Sequence, residues 1–310
     1  MTASHASDKP GEPLVSIIVP CYNSARTVRQ CLQSILDQRT SIIFDVVVVD
    51  SSSDQTAQIV GQEFPSVRLI HLKQRAPAGA ARNVGIRSTC TDFCLMIDSD
   101  CIAEPDLLER AIARHREDHY AAVGGSLANG TPGSLSGWIG YLIEFKEFMP
   151  STPSRLEKNI PTANLTYRRE ALERYGFFDE DLWPAEDLLF NWKLYAAGER
   201  LLFDPAIQVT HLNRTGWHTV LSYQIRLGKT SAIARKRGGG LGSFGGDAPF
   251  RHPIVIALMP FARLKNALTW LAAYDRKALM LLLVVWPLYL IAACFWSFGF
   301  FQGVREERQF

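Results

Sequence analysis

The sequence is poor in cysteine, carries almost no net charge and lacks a glycine-rich dinucleotide motif, and each shortage excludes a class of protein. Its 6 cysteines form no Cys-x-x-Cys pair, so neither a disulfide scaffold nor a zinc ribbon is expected. A net charge of +2 argues against a basic chain that coats nucleic acid, and no nucleic-acid partner is expected. Pro20-Cys-Tyr-Asn23, rather than Gly-x-Gly-x-x-Gly, follows the first apolar run, which argues against a nicotinamide-dependent dehydrogenase.

Charge and hydropathy are distributed unevenly along the chain. Residues 226–277 carry ten Lys and Arg but only two Asp, and the 23 residues from Leu279 to Phe301 carry no charge. A helix of that length rises roughly 34 Å, enough to cross a hydrocarbon core of about 30 Å. A transmembrane helix is therefore predicted over 278–302, in the cell's inner or plasma membrane, with a tail at 303–310. Because the cations precede the span, the large domain is expected on the cytosolic face.

A second apolar stretch, 254–277, precedes this span and carries Arg263 and Lys265 near its middle. Each central charge would cost a spanning helix roughly 2.5–3.5 kcal/mol. An interfacial helix with its cations among lipid headgroups is expected, and a re-entrant hairpin is the alternative. The glycines of 238–253 predict a flexible linker. Residues 1–13 are polar, which predicts a disordered N-terminus without a secretory signal.

Residues 14–237 alternate β-branched runs with helical patterns, which predicts an α/β fold with an open, mainly parallel sheet flanked by helices. Ser24 is expected to cap the first helix. Ligands of such sheets bind beyond the carboxyl ends of the strands, which directs attention to 20–23, 50–54 and 98–100. The expected strands are 15–20, 45–50, 67–72 and 93–98, and the helices that follow the last three are 55–64, 78–89 and 105–119.

Acidic side chains follow two of these strands. Asp98-Ser99-Asp100 ends one buried strand, and Asp50 ends another. Mg²⁺ and Mn²⁺ prefer oxygen ligands and often share them with substrate phosphates, so this acidic pair is a candidate metal site. Asp50 is placed to accept hydrogen bonds from the base or ribose of a nucleotide. A turn-forming aspartate followed by serines is the alternative for Asp50.

Seven segments carry a more specific signal through their order and spacing. They are VSIIVPCYN (15–23), VVVVDSSSDQT (46–56), GAARNVGI (79–86), MIDSD (96–100), TANLTYRR (162–169), AEDLLFNWKLYAAG (185–198) and AIQVTH (206–211). Together they resemble the family-2 glycosyltransferases of GT-A fold over residues 15–215. The resemblance implies an inverting transfer from a UDP-, GDP- or dTDP-sugar, with Mn²⁺ or Mg²⁺ as cofactor.

The resemblance also implies a role for individual residues. Asp187 matches the general base of the family's Glu-Asp motif, with stabilisation of a helix start as the alternative. Arg82 lies near the nucleotide or forms a salt bridge with nearby acids, and His211 contacts the metal or is structural. The nucleotide sugar is assigned to Pro20, Tyr22, Asn23, Asp50, Arg82, Asp98 and Ser99, the metal to Asp100, Asp98 and His211, and the sugar or acceptor pocket to Asn164, Trp183 and Glu186.

Transfer of a sugar from a nucleotide sugar needs only a cation and one carboxylate base. A cation neutralises the departing diphosphate, and one carboxylate takes the proton of the acceptor hydroxyl. Processive members carry Gln-x-x-Arg-Trp, whereas Gln224-Ile-Arg226-Leu-Gly228 lacks the tryptophan. Transfer of one sugar to a lipid-linked or cell-surface-glycan acceptor, beside membrane lipids, is therefore expected. The alternatives are a membrane-anchored pseudoenzyme or scaffold that binds nucleotide sugars, and a nucleotidyltransferase.

Overall fold

The computed structural model describes residues 11–239 and 252–306. The predicted disorder of residues 1–13, most of the predicted linker 238–253 and the end of the predicted tail 303–310 lie outside these residues. Over the described part the α/β class is confirmed. Its strands are β1 Val15–Cys21, β2 Phe44–Asp50, β3 Arg68–His71, β4 Phe93–Ile97, β5 Cys101–Ala103, β6 Ala122–Asn129, β7 Arg155–Glu157, β8 Asn164–Arg168 and β9 Leu201–His211.

The strands form one mixed sheet in the order β3-β2-β1-β4-β8-β6-β9-β5, with β7 paired to β9. The first four strands are parallel, and β1 lies between β2 and β4. In this register Cys21 pairs with Asp50, so the turns after β1, β2 and β4 meet at one edge of the sheet. On the other side of β4, the antiparallel pairing of β9 with β5 sets His211 beside Cys101. The sheet thus brings the turn Asp98-Ser99-Asp100, called the acidic turn below, close to His211.

Helices cover the sheet on both faces. Val46 and Val48 of β2 pack in the larger core, while Val47 and Val49 pack with Ala81 on the opposite face. A 3₁₀ helix spans Lys146–Phe148. The helices are α1 Val28–Leu36, α2 Thr56–Glu63, α3 Ala78–Arg87, α4 Leu107–Glu117, α5 Leu135–Phe145, α6 Arg169–Tyr175, α7 Glu186–Ala196, α8 Trp217–Arg237, α9 Pro253–Tyr274 and α10 Arg276–Glu306.

One capping prediction is wrong. Helix α1 begins at Val28 with Thr27 at its cap position, and no side chain caps it. The Ser24 carbonyl accepts from the Thr27 and Val28 amides, while the Ser24 hydroxyl lies 2.7 Å from the hydroxyl of Ser99. Its side chain is directed into the acidic turn because the chain makes an extra turn before the helix starts.

Helices α9 and α10 form a hairpin that breaks at Asp275, whose carboxylate accepts the Ala278 amide at 2.9 Å. By length and composition each could cross a membrane. The predicted interfacial segment 254–277 is helical as far as Tyr274, and the predicted span 278–302 lies within α10, which extends beyond both predicted ends. The hairpin is not separate from the α/β part, because its inner face packs against α5.

Helix α10 also approaches α8 at backbone contact distance. A β-carbon on Gly228 of α8 would lie 1.9 Å from the carbonyl oxygen of Trp296. One on Gly299 of α10 would lie 1.9 Å from the carbonyl oxygen of Ile225. Glycine is required at both positions because any side chain would push the helices apart. The pair is closed by an ion pair of 2.7 Å between Lys229 and Glu306.

We expect Gly228→Ala to destabilise the protein by about 1–3 kcal/mol through overpacking, although alanine favours an isolated helix by up to ~1 kcal/mol. Thermal unfolding of the full chain in detergent measures the change. The matched control is Gly133→Ala, because a β-carbon there meets nothing within 4 Å and should leave the unfolding temperature unchanged. An unfolding temperature for Gly228→Ala at or above that of wild type would show that α8 and α10 are not in contact.

Candidate active site

A cleft of about 1380 Å³ opens at the carboxyl ends of β1 and β4 and extends to helices α7 and α8. The structure brings ten of the thirteen predicted site residues to its lining. The other three, Asp50, Asn164 and His211, do not line this cleft. The ten lining residues are Pro20, Tyr22, Asn23, Arg82, Asp98, Ser99, Asp100, Trp183, Glu186 and Asp187.

A buried arginine joins three elements in the wall of the cleft. Arg82 of α3 is 2% exposed. Its Nη2 donates to Asp98 Oδ1 at 2.6 Å, and its Nη1 donates to Glu186 Oε1 at 2.5 Å. An isolated buried cation would cost several kcal/mol, so each carboxylate is needed to hold it. Arg82 therefore forms salt bridges, as the alternative prediction stated. These two pairs bring the start of α7 close to the acidic turn.

Asp187 follows Glu186 at the start of α7 and opens on the cleft. Its Oδ1 accepts the Leu188 amide at 2.7 Å, and its Oδ2 accepts the Thr162 amide at 3.2 Å. Burial raises the pKa of Asp187 above its ordinary value, although Arg82 opposes that shift. Ala185, just before the helix, has φ of 89°, a left-handed conformation that costs an alanine roughly 1–2 kcal/mol. The backbone is thus held in an unfavourable shape that presents this carboxylate.

Asp50 holds the turn after β1 in place but does not itself line the cleft. Asn23 has φ of 54°, and its amide donates to Ser52 Oγ at 2.7 Å. Ser52 donates in turn to Asp50 Oδ1 at 2.5 Å, and His71 Nδ1 lies 2.8 Å from Asp50 Oδ2. Asp50 is 0% exposed, so the expected direct contact with a nucleoside is not available in this structure. Both of its oxygens are occupied by the serine and the histidine.

Aromatic and cationic side chains stack at the mouth of the cleft. The guanidinium carbon of Arg75 lies 4.4 Å from the ring centre of Tyr22 and 5.9 Å from that of Trp183. Arg226 of α8 lies 4.9 Å from the ring centre of Trp183. Tyr22 is 43% exposed, which leaves one face available for a planar ligand. Flat aromatic faces of this kind suit a base or a sugar ring.

His211 lies behind the acidic turn, with its Nε2 3.5 Å from Asp100 Oδ1. Its Nδ1 lies 2.9 Å from Asn213 Oδ1. The Asn213 amide nitrogen donates to Asn129 Oδ1 at 2.8 Å and to Thr131 Oγ1 at 3.1 Å. The oxygen of Asn213 therefore faces the ring and can only accept, so Nδ1 is placed to donate to it. Nε2 is the ring nitrogen that faces Asp100.

This donor set suits a divalent cation. Asp100, Cys101 and His211 place one potential ligand atom each within 4.8 Å of one another. Burial raises the pKa of the Cys101 thiol well above its ordinary value, so the sulfur stays protonated and the oxygen and nitrogen are the usable donors. A metal-binding imidazole commonly donates its other N–H to a fixed oxygen, as His211 does to Asn213. The residues present therefore fit Mn²⁺ or Mg²⁺.

The sequence did not predict three side chains near the acidic turn, which are Arg214, Tyr223 and Glu144. Arg214 lies on the cleft with its guanidinium carbon 3.9 Å from the ring centre of Tyr223. Burial would lower its pKa, but Tyr223, Glu144 and Asp100 together raise it above the ordinary value, so it stays charged. Glu144 of α5 accepts from Gln224 at 2.8 Å. The spacing His211-x-x-Arg214 at the end of β9 could have indicated Arg214. No local pattern indicates Glu144 of α5 or Tyr223 of α8.

Asn164 is a correction to the predicted pocket. It is 1% exposed, and its side-chain nitrogen donates to the Ile207 carbonyl at 2.9 Å and to the Ser126 carbonyl at 3.3 Å. Its side chain therefore ties β8 to the neighbouring strands under the cleft. The alternation of β8 turns Asn164 inward, and Thr162 and Ala163, just before it, line the cleft instead.

The sheet order, the acidic turn after β4 and the cleft beside it define an α/β fold of the GT-A class. Residues 16–176, more than half of the chain, match the family described as Glycosyl transferase family 2. The chain therefore belongs to glycosyl transferase family 2. The pre-mycofactocin glycosyltransferase of Mycobacterium tuberculosis is 27% identical over 206 residues, which cover 65% of this chain and 43% of that protein. The chain thus spans less than half the length of this relative.

Two solved structures share the fold. The mannosyltransferase PcManGT from Pyrobaculum calidifontis, in complex with GDP-Man and Mn²⁺, has a TM-score of 0.59 at 21% identity over 96% of this chain and 87% of that one. TarS from S. aureus, in complex with UDP-GlcNAc, has a TM-score of 0.52 at 23% identity over 95% and 91%. At these identities the likeness shows the fold alone.

We expect His211→Ala and Asn213→Ala each to weaken Mn²⁺ binding, the second by about 10–100-fold because the imidazole loses the partner that orients it. Free Mn²⁺ can be measured by electron paramagnetic resonance in the presence of UDP or GDP. His119→Ala removes an exposed histidine and is the matched control. Equal Mn²⁺ affinity in all three variants would exclude His211 from the metal site.

Proposed function

We propose that this chain catalyses the metal-dependent, inverting transfer of one sugar from a nucleotide sugar to a hydroxyl of a lipid-linked or glycan acceptor. The observation that carries the proposal is the position of Asp187. This half-buried carboxylate opens on the cleft, and Asp98 is close enough to contribute to its raised pKa. A base and a cation site therefore lie in one cavity, as a single displacement requires.

The donor in this proposal lies across the carboxyl ends of β1 and β4. Tyr22 and the Asn23 turn bind the nucleoside, and Asp50 holds that turn through Ser52. Two proteins of the same fold bind GDP-Man and UDP-GlcNAc, which supports a nucleoside-diphosphate sugar here. Arg214 provides a fixed positive charge near the acidic turn for the diphosphate. Trp183 and Glu186 border the space left for the sugar.

The cation site in this proposal consists of Asp98, Asp100 and His211. Oδ1 of Asp98 accepts from Arg82, which leaves Oδ2 for a metal. Around Arg82 and Arg214 the cleft has four carboxylates, those of Asp98, Asp100, Glu186 and Asp187, against these two cations, and a divalent ion would offset the excess negative charge. When bound, Mn²⁺ or Mg²⁺ would neutralise the charge that develops on the departing diphosphate.

Asp187 acts in this proposal as the general base. Its Oδ2 accepts from both the amide and the hydroxyl of Thr162, whereas its Oδ1 accepts only the Leu188 amide, which leaves a lone pair of Oδ1 for the acceptor hydroxyl. The raised pKa makes the carboxylate a stronger proton acceptor than an exposed aspartate. The acceptor hydroxyl would give its proton to Asp187 while its oxygen forms a bond to the anomeric carbon on one face of the sugar. The bond from that carbon to the diphosphate oxygen would break on the opposite face, and the configuration would invert. A pseudoenzyme would not need to retain a half-buried, partly desolvated carboxylate at this point.

We expect Asp187→Asn to lower turnover by about 10²–10⁴-fold, because the proton acceptor is lost. Release of nucleoside diphosphate from UDP-, GDP- and dTDP-sugars measures turnover, and binding of UDP or GDP with Mn²⁺ should be unchanged. In the wild type, the acidic limb of the pH profile should lie at a higher pH than an exposed aspartate would give, since burial raises the pKa.

The same shift fixes the sign of the stability change. A carboxyl group whose pKa is raised in the folded state makes the folded protein less stable as the pH rises through that pKa. At neutral pH Asp187→Asn should therefore unfold at or above the temperature of wild type. Asp181→Asn, an exposed acid that also lines the cleft, is the matched control and should leave turnover unchanged. Equal turnover in both variants would remove Asp187 from the reaction.

We further propose that 14–237 is the catalytic part and that α9 and α10 hold it on the inner or plasma membrane, with the cleft on the cytosolic side. Both helices expose large apolar side chains that no described residue covers. Such a continuous apolar surface is typical of membrane or protein contact. The most exposed are Ile254, Leu258 and Phe261 of α9 and Met280, Leu283, Val284 and Phe298 of α10.

We expect Val284→Arg to release the protein from phosphatidylcholine vesicles. A charge at the centre of a membrane helix costs roughly 2.5–3.5 kcal/mol, which corresponds to a loss of partitioning of about 100-fold. Co-flotation with the vesicles measures the bound fraction. Ile43→Arg adds the same charge at an exposed apolar residue before β2 and should float as wild type does. Undiminished flotation of Val284→Arg would show that α10 does not enter lipid.

A further inference from the structure

The cleft does not end at Asp187 but continues to the helices that carry the apolar surface. In this extension, Leu227, Ser231 and Arg235 of α8 face Arg263 of α9 and Trp296 of α10. The transfer chemistry proposed above uses none of these five side chains. A cavity that joins a base to apolar helices has room for a second substrate with both polar and apolar parts.

Arg263 is the unusual residue of this extension. The sequence predicted that both cations of α9 would reach outward to lipid headgroups. Lys265 is exposed as expected, whereas Arg263 turns inward and places its guanidinium carbon 4.2 Å from the ring centre of Trp296. This difference follows from helix geometry, because residues two positions apart lie on opposite sides of a helix.

One N–H of the Arg263 guanidinium has no hydrogen-bonding partner among the described residues. Its Nε is buried, and no atom of residues 11–239 and 252–306 accepts a hydrogen bond from it. No carboxylate among those residues forms an ion pair with Arg263. Stacking on Trp296 satisfies the face of the guanidinium but not its N–H edge. A buried donor left without an acceptor costs about 1–3 kcal/mol or more for a charged group, so a ligand that supplies acceptors would recover that cost.

The neighbouring carboxylates are already engaged. Glu147 pairs with Lys146 at 3.1 Å, and Glu144 accepts from Gln224 at 2.8 Å. Arg235, the other cation of the extension, donates to the Ser231 carbonyl at 3.2 Å. Glu147 and Glu144 each have an oxygen engaged by another residue, and neither forms an ion pair with Arg263, which also lines the cavity. A phosphate suits such a site, because its oxygens match the planar fork of a guanidinium.

We propose that Arg263 binds the phosphate of a lipid-linked acceptor, whose hydrocarbon chain lies along α9 and α10. The inference rests on the proposed function, since it names the acceptor that would reach Asp187. Apolar residues flank the extension on α8 and α10, which favours an acceptor whose phosphate carries a hydrocarbon chain over a soluble sugar phosphate. The inward orientation favours a ligand inside the cleft over a headgroup of the surrounding bilayer, which the exposed Lys265 is better placed to meet.

The test measures binding of farnesyl phosphate and of farnesol to the full chain in uncharged detergent by isothermal titration calorimetry. We expect wild type to bind farnesyl phosphate more tightly than farnesol. Arg263→Gln should weaken the binding of farnesyl phosphate by about 10–100-fold, the value of a hydrogen bond to a charged group, and leave that of farnesol unchanged. Lys265→Gln removes the same charge from the exposed side of α9 and should bind both probes as wild type does.

Three results would overturn the inference. The first is equal affinity of wild type for farnesyl phosphate and farnesol, which leaves no phosphate site. The second is equal weakening in Lys265→Gln and Arg263→Gln, which indicates attraction by general charge. The third is unchanged binding of farnesyl phosphate in Arg263→Gln. Arg263→Lys, which keeps the charge but not the fork, should bind with intermediate affinity and guards against misfolding of the glutamine variant.

The outcome can be separated from that of the proposed function. Asp187→Asn should bind farnesyl phosphate as wild type does, because Asp187 takes no part in holding the phosphate. If no nucleotide sugar is consumed by any variant while binding stays phosphate-selective and dependent on Arg263, the proposed transfer fails and the phosphate site stands. If sugar is consumed but farnesyl phosphate binds no better than farnesol, the site fails and transfer stands.

Discussion

The structure around the cleft depends on the burial of one guanidinium. Arg82 lies beneath the surface, and water cannot solvate its charge, so two carboxylates must accept from it. Asp98 is 16 residues away in sequence and Glu186 is 104 residues away. Satisfying this single cation therefore fixes α3, the end of β4 and the start of α7 relative to one another. Asp187, the next residue after Glu186, takes its place in the cleft as a consequence.

The cleft holds several arrangements that each cost stability. Asn23 and Ala185 adopt left-handed backbone conformations on two of its sides. Burial raises the pKa of Asp187 and so opposes its ionisation, and acids outnumber cations around Arg82. Such features persist where the surrounding structure determines them, and they are common at functional sites. Here the parallel strands and the core beneath them supply that support, because neither turn is stabilised by its own residues alone.

Helix α10 meets two different environments on its two sides. Its glycine face contacts the backbone of α8, and this close approach leaves no space for lipid between the two helices. Away from that contact, α10 exposes large apolar side chains such as Val284 and Phe298. The proposed membrane contact and the shape of the cleft are therefore linked through the same helix, since Trp296 of α10 lines the extension where Arg263 lies.

Much of the fold was predictable from local pattern. Buried parallel strands need continuous β-branched runs, and those of β1, β2 and β4 ended within one or two residues of their predicted limits. The acidic turn after β4 and the Glu-Asp pair at α7 were also found from sequence, because their position relative to a strand or helix is local. The capping by Ser24 was not, since a short turn before α1 directs its hydroxyl toward Ser99 instead.

The sequence alone determined the class of fold, the family and the acids that surround the cleft, because these depend on the order of residues along one strand or helix. Tertiary structure decided which of them reach the cleft. Asp50 and Asn164 are turned inward by contacts with segments distant in sequence. Arg214 reaches the cleft beside Tyr223 of α8, and Arg263 of α9 reaches it beside Trp296 of α10. The positions of these helices depend on packing between helices, which no local pattern encodes.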